Sequence, residues 1–103
     1  MTIATTRTLE ESARRLFPGQ SLDQAIAGLL LERAQRNLIK YQVMARQFES
    51  KYGQPFEAFR QKVLSSEPAF DVEQDYFDWE LAVTGIADTQ AEIQRLRELA
   101  GES

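Results

Sequence analysis

A long, regular spacing of apolar residues runs through the first half of this chain. Its members recur at alternating intervals of four and three, and they are Ala27, Leu31, Ala34, Leu38, Tyr41, Ala45, Phe48 and Tyr52. Such a repeat places its residues along one side of an α-helix. A single helix cannot bury its own apolar side, so a second helix must lie along it. The repeat therefore predicts a helical hairpin or a coiled-coil-like bundle.

Capping and breaking residues indicate where the helices begin and end. Thr8, Ser21 and Asp71 each stand three residues before a Glu or Gln, as in a capping box, where the two side chains satisfy free backbone N–H groups. Pro55 fits the first position of a helix, where its missing N–H costs nothing. Gly53 fits the stop of the helix before it.

These signals predict an all-α fold with four helices. Two long antiparallel helices are expected at about 21–52 and 71–99, with short helices at 9–17 and 55–65. Gly85 falls in the middle of the last helix, where glycine costs about 1 kcal/mol relative to alanine. A close approach by another helix explains it, and a local bend is the alternative.

The chain is expected to divide into an N-terminal arm, 1–20, and a helical hairpin domain, 21–103. Residues 25–31 are apolar on nearly every side of their helix, and Ile39 and Val43 also fall outside the repeat. A hairpin covers only one face of each helix. A homodimer with a four-helix core would cover the rest, and this dimeric bundle is favoured over the short helices folding back.

The composition excludes several classes of function. The chain has no histidine and no cysteine, so it lacks the commonest general base, the commonest zinc ligand and all thiolate chemistry. We therefore expect a non-enzymatic protein with no catalytic residues, no cofactor and no metal site. The net charge of -4 argues against nucleic acid as the main partner. The longest apolar run is too short for a membrane span, and residues 1–8 do not resemble a signal peptide, so a cytoplasmic location is expected.

The stretch between Val63 and Gln94 carries no Lys or Arg. Its eight acidic residues are Glu67, Asp71, Glu73, Asp75, Asp78, Glu80, Asp88 and Glu92. Large aromatic residues, including the single tryptophan, stand among these acids. A negatively charged surface with aromatic side chains is suited to a basic protein partner.

Helical geometry separates the aromatic residues of this stretch into two groups. Tyr76 and Trp79 lie on the side that faces the hairpin, whereas Phe77 points elsewhere, together with Glu73 and Glu80. An exposed aromatic residue beside acids is typical of binding hot spots. The predicted partner-binding residues are Glu73, Asp75, Phe77, Asp78 and Glu80.

Two alternative functions use other charged residues. Asp71, Asp75 and Asp78 share a helical face and could hold Mg²⁺ or Mn²⁺ in a minimal helical nucleotide hydrolase. The facing helix lacks the E-x-x-E motif of such enzymes, so a solvated acidic face is favoured. The other alternative is a DNA-associated regulator that uses Arg14, Arg15 and the basic residues of the second helix.

The basic residues of the second and third helices also offer partners for the acids of the fourth. Antiparallel packing would place Arg46 and Lys51 near the start of the fourth helix, beside Asp71, Asp75 and Asp78. Ion pairing within the chain or between subunits is therefore the first interpretation of these charges. Exposed pairs of this kind would set register and partner choice more than stability.

Two motifs carry a resemblance to a known family. Residues 40–59 contain K-Y-x-x-x-x-R-x-F-x-x-K-Y-G followed by F-E-x-F, and residues 73–85 contain E-x-D-x-x-D-W-E-x-A-V-x-G. Over roughly residues 30–97 the chain resembles a small all-helical, antitoxin-like family of prokaryotic toxin–antitoxin modules. Pro55 departs from the family pattern, which affects only a helix start. The resemblance implies a protein that binds and masks a small basic toxin.

Overall fold

Four helices make up the structure, a computed structural model that describes residues 2–101. They are α1 at Ile3–Leu16, α2 at Leu22–Tyr52, α3 at Phe56–Leu64 and α4 at Phe70–Leu99. No strand occurs among the described residues. The predicted all-α fold class is confirmed, and the bounds of α2, α3 and α4 lie within one residue of those predicted.

The prediction for α1 was wrong at its beginning. The helix starts at Ile3 rather than at residue 9, because the Thr2 side chain caps it by accepting from the Thr5 backbone N–H at 3.2 Å. Thr8, the predicted cap, lies inside the helix and donates its hydroxyl to the Ala4 carbonyl oxygen at 3.0 Å. The residues that match a capping box at Thr8 therefore lie inside α1 and do not cap it.

The other start signals are found with smaller corrections. Ser21 and Gln24 form the predicted capping box, with the Gln24 N–H donating to the Ser21 Oγ at 3.1 Å and the Ser21 N–H to the Gln24 Oε1 at 2.9 Å. Asp71 lies in the first turn of α4, two positions after the cap position that it was predicted to fill, and Pro55 is the N-cap of α3, one position before its predicted role. Gly53 ends α2 in the left-handed region, with φ of 64°.

The described residues form two compact units, and the long helices contribute to both. The central unit is Arg36–Gln90, and the terminal unit consists of the residues up to Gln35 and from Ala91 onward. The predicted division into an arm and a hairpin domain is a different statement about folding and stays a prediction.

An aromatic cluster fills the core of the central unit. Trp79 of α4 is 1% exposed, and its ring centroid lies 5.1 Å from that of Phe59, 5.3 Å from Phe56 and 5.8 Å from Phe48. The short helix α3 therefore packs on the hairpin through its own aromatic side chains. Most of the aromatic residues near the connection between α2 and α4 belong to this core, including Tyr76 and Trp79, which were predicted to face the hairpin.

Two contacts show that α2 and α4 run antiparallel within the central unit. Lys51 pairs with Asp75, and Tyr41, ten residues earlier, lies against Gly85, ten residues later. A Cβ atom at Gly85 would lie 2.8 Å from the Tyr41 ring atoms, inside the contact limit. The close approach of another helix that Gly85 indicates is therefore found.

Small residues of α2 dominate the core of the terminal unit. Its buried residues are Ala25, Ala27, Leu31 and Ala34 on α2, with Ile93 and Leu96 on α4. Helix α1 contributes no buried residue of its own. An apolar groove lies between α1 and α2, and its lining includes Leu9 and Ala13 of α1 and Leu22 and Leu29 of α2. Across residues 2–101, each helix is too short or too polar to cross a membrane.

Candidate protein-binding face

The burial of Trp79 and Tyr76 fixes which side of α4 faces outward in the central unit. Three large apolar residues on that side remain accessible, with Phe70 82%, Phe77 52% and Leu81 58% exposed. They follow one another at intervals of seven and four, so they form one stripe along the helix. We call these three residues the outer stripe of α4.

Phe77 is held in place although it is exposed. Its ring packs edge-on against the ring of Tyr76, with the two centroids 5.5 Å apart. An aromatic ring that is fixed by a neighbour loses little conformational freedom on binding, which favours its use as an anchor. The predicted outward orientation of Phe77 is found in the structure.

Glu73 and Glu80 border the outer stripe along one edge, and both are exposed. Tyr76 donates its hydroxyl to the Glu80 Oε2 at 2.9 Å, so the Glu80 carboxylate has a defined position. The same hydrogen bond, together with burial, raises the pKa of Tyr76. Within residues 2–101, neither glutamate forms an ion pair with a Lys or Arg.

Asp78 lies near the other edge of the stripe and is half-buried. It accepts a hydrogen bond from the Gln74 side-chain amide at 3.2 Å. Among the described residues it also has no Lys or Arg in an ion pair. Glu73, Phe77, Asp78 and Glu80 therefore surround one accessible surface, which carries negative charge at both edges.

Asp75 differs from the other four predicted residues because the chain itself uses it. Its Oδ2 accepts from the Lys51 Nζ and from the Tyr52 hydroxyl, each at 2.5 Å. The hydrogen bonds from Lys51 and then Tyr52 lower the pKa of Asp75, and the contact with Asp75 raises the pKa of Lys51. The geometry assigns Asp75 to the contact between α2 and α4, where its Oδ2 accepts both hydrogen bonds.

The ion pairing expected between α2 and α4 is found at a single place in the described chain. Lys51 pairs with Asp75, whereas Arg46 forms no ion pair with an α4 acid among residues 2–101. Most of the acidic charge on α4 is therefore not neutralised by these helices.

The outer stripe extends beyond the residues that the sequence singled out. Neither Phe70 nor Leu81 is among the predicted partner-binding residues. The available signal was their spacing from Phe77, which places all three on one side of a helix. Single apolar residues on a helix surface are common, so that signal becomes informative only once the buried side is known.

The three aspartates that could hold a metal do not form a site. Asp75 is held by Lys51 and Tyr52, while Asp71 and Asp78 lie one turn away on either side. In the part of the chain that the structure describes, no three His, Cys, Asp or Glu residues come together as metal ligands would.

Comparison with known proteins gave no relative: no protein-family model, no curated protein and no solved structure matches this chain.

Proposed function

We propose that this chain is a non-enzymatic protein-binding module that docks a basic partner on the outer stripe of α4. One observation carries the proposal: Phe70, Phe77 and Leu81 form an exposed apolar stripe between carboxylates that have no basic partner within residues 2–101. Apolar anchors bordered by charge are the composition of a protein interface.

The chemistry of the face specifies the partner. An apolar stripe three side chains long fits the apolar side of another helix, whose residues recur at the same intervals. Carboxylates at both edges favour Lys or Arg next to those apolar residues. The proposed partner therefore presents a basic amphipathic helix, and Glu73, Phe77, Asp78 and Glu80 contact it. Asp75 is not among these contact residues, because it pairs with Lys51 of α2.

A photocrosslinking experiment tests this docking surface. A photoreactive phenylalanine analogue is placed at Phe77 in one variant and at Leu64 of α3 in another. Leu64 is 61% exposed, and its neighbours one turn earlier are Arg60 and Gln61 rather than acids. We expect the Phe77 variant to crosslink one basic protein in the native host, and the Leu64 variant to crosslink it far less. Equal crosslinking from both positions would contradict the proposal.

A charge reversal separates the acids from the aromatic anchor. In the Phe77 crosslinking variant, Glu73→Lys with Glu80→Lys should remove the adduct while circular dichroism shows unchanged helicity. Glu92→Lys with Glu98→Lys, which reverses two exposed acids of the terminal unit and changes the net charge by the same amount, serves as the matched control and should leave the adduct intact. Loss of the adduct in both variants would assign the effect to net charge alone.

The proposed physiological role is that of an antitoxin-like component that masks a small basic toxin. The two motifs at residues 40–59 and 73–85 support it, together with the acidic binding face. Co-expression with the product of an adjacent small gene tests this role. The chain should relieve growth arrest, and a Phe77→Ala/Leu81→Ala variant should not. Equal relief by both would contradict it.

Cytoplasmic location and homodimer formation are proposed as well. A chain without cysteine is suited to a reducing compartment. The dimer is supported by the aliphatic residues that stay exposed on the first half of α2. The nucleotide hydrolase and DNA-regulator alternatives have no comparable observation in their favour.

A further inference from the structure

A second apolar surface lies in the terminal unit, on the first half of α2. Ile26 is 46% and Leu30 52% exposed, although α1 and α4 both pack on this part of the helix. Beside them runs a groove of about 280 Å³ whose lining includes Ala27, Leu96 and Leu99. Groove and side chains form one apolar surface that the described chain does not cover.

Two opposite charges border this surface at equal distances. Asp23 precedes Ile26 by three residues, and Arg33 follows Leu30 by three, so the four side chains stand at intervals of three, four and three. That spacing places them in one row along the helix. Within residues 2–101, neither Asp23 nor Arg33 forms an ion pair.

The row of one copy is complementary to the same row of a second copy that runs in the opposite direction. If two copies of α2 lie antiparallel, with their rows facing and centred on position 28, Asp23 of each copy faces Arg33 of the other. Ile26 then faces Leu30 in both directions. A twofold interface requires this reciprocity, in which each residue meets its counterpart in both directions. A parallel arrangement would instead place like charges together.

We propose that the row Asp23, Ile26, Leu30 and Arg33 is the interface for a second copy of this chain, packed antiparallel in a twofold dimer. The groove beside Leu96 and Leu99 receives the aliphatic side chains of the second copy. The paired stretch from Asp23 to Arg33 covers roughly one third of α2, about 15 Å at 1.5 Å per residue. Interfaces of this size are at the small end for stable complexes, so we expect association that depends on concentration.

Sedimentation equilibrium over a range of concentrations tests the dimer. The wild type should show a monomer–dimer equilibrium, and Leu30→Glu should weaken it at least tenfold. Leu64→Glu, at an exposed position of α3 outside both proposed surfaces, is the matched control and should leave it unchanged. A wild type that stays monomeric at about 1 mM overturns the proposal, since that corresponds to a free energy weaker than about -4 kcal/mol.

A charge exchange tests the pairing itself. Asp23→Arg places two arginines opposite each other twice per dimer and should weaken association about tenfold at low salt. The double variant Asp23→Arg/Arg33→Asp restores both pairs and should recover most of the wild-type affinity. Failure of the double variant to recover, with helicity intact by circular dichroism, overturns the pairing.

Introduced cysteines test the orientation, because the chain has none of its own. Mild oxidation of an equal mixture of Ile26→Cys and Leu30→Cys chains should give mainly the mixed disulfide, since those positions face each other in the antiparallel dimer. A preference for Ile26→Cys chains joined to one another would indicate a parallel dimer and overturn the proposal. This inference rests on the proposed homodimer, and a parallel dimer would overturn the antiparallel row alone. Because this surface and the outer stripe are altered separately, the docking proposal and this one can fail independently.

Discussion

Gly28 and Gly85 are both glycines in the interior of long helices, and their surroundings differ. A Cβ atom at Gly85 would lie 2.8 Å from ring atoms of Tyr41, whereas one at Gly28 would have no atom within 4 Å apart from its own helix backbone and chain neighbours. Helix propensity alone favours alanine at both positions by about 1 kcal/mol. At Gly85 the Tyr41 ring opposes that gain, because the ring would have to move out of the contact between α2 and α4.

Alanine substitution at the two glycines should therefore have opposite effects. We expect Gly85→Ala to lower the free energy of unfolding by about 1–3 kcal/mol through overpacking. Gly28→Ala should raise it by about 0.5–1 kcal/mol through helix propensity. Urea denaturation at one fixed protein concentration measures both. A stabilised Gly85→Ala variant would show that the Tyr41 ring yields easily.

Asp75 makes the stability of the central unit depend on acid pH. The hydrogen bonds from Lys51 and Tyr52 lower its pKa in the folded chain below the ordinary 3.8. Its stabilising contribution is therefore present above the unfolded-state pKa and is lost as the pH falls through the lower, folded-state value.

Asp75→Asn should lower the free energy of unfolding by about 1 kcal/mol at pH 7, because the charge-assisted hydrogen bonds are weakened. The difference from the wild type should persist down to about pH 5 and shrink below about pH 4, where the aspartate of the unfolded chain becomes protonated. Urea denaturation at a series of pH values measures this. A difference that stays constant at low pH would mean that the carboxylate charge is not responsible.

The helices illustrate how far local sequence determines the elements. Periodicity placed α2 correctly because its apolar repeat is long, and the Ser21 capping box gave its start. The cap signal at Asp71 gave the start of α4 to within one residue. The capping-box pattern at Thr8 does not mark the start of α1, because Thr2, six residues earlier, offers the same kind of hydroxyl oxygen and caps the helix. Choosing between two nearby capping residues requires knowing how far the helix extends toward the N-terminus.

Alanine substitutions at Ser21 and at Thr8 distinguish a capping residue from an interior one. Ser21→Ala should lower the free energy of unfolding by about 1 kcal/mol, because the Gln24 N–H loses its acceptor. Thr8→Ala should leave it unchanged or raise it by up to about 0.5 kcal/mol, since alanine is the better helix former. Thermal denaturation followed by circular dichroism measures both. A larger loss at Thr8 would place the start of α1 where the sequence alone suggested.

The candidate site was only partly predictable from the elements. The sequence showed that Phe77, Glu73 and Glu80 leave the buried side of α4, which requires only the helical repeat. It could not show that Asp75 is consumed by Lys51 and Tyr52, because that contact joins residues more than twenty positions apart. Nor could it show that Phe70 and Leu81 stay exposed, because single apolar residues on a helix surface are common and their spacing from Phe77 becomes informative only once the buried side is known.

At the scale of the whole molecule, charge and apolar surface are distributed unevenly over the helices. Basic residues concentrate on α2 and α3, whereas the charged residues between Val63 and Gln94 are all acidic. A single ion pair joins α2 and α4 in the described chain. The remaining acidic charge on α4 should attract a basic partner over a distance, so association should slow as salt is added.

The central claim is that the outer stripe of α4 is the docking surface, and the affinity of the crosslinked partner for purified variants tests it most directly. By titration calorimetry, Phe77→Ala/Leu81→Ala should weaken binding at least tenfold, since truncating two central anchors costs more than about 1.4 kcal/mol. Leu64→Ala, an equally exposed residue on α3, should bind as the wild type does. Unchanged affinity in the double variant would contradict the account.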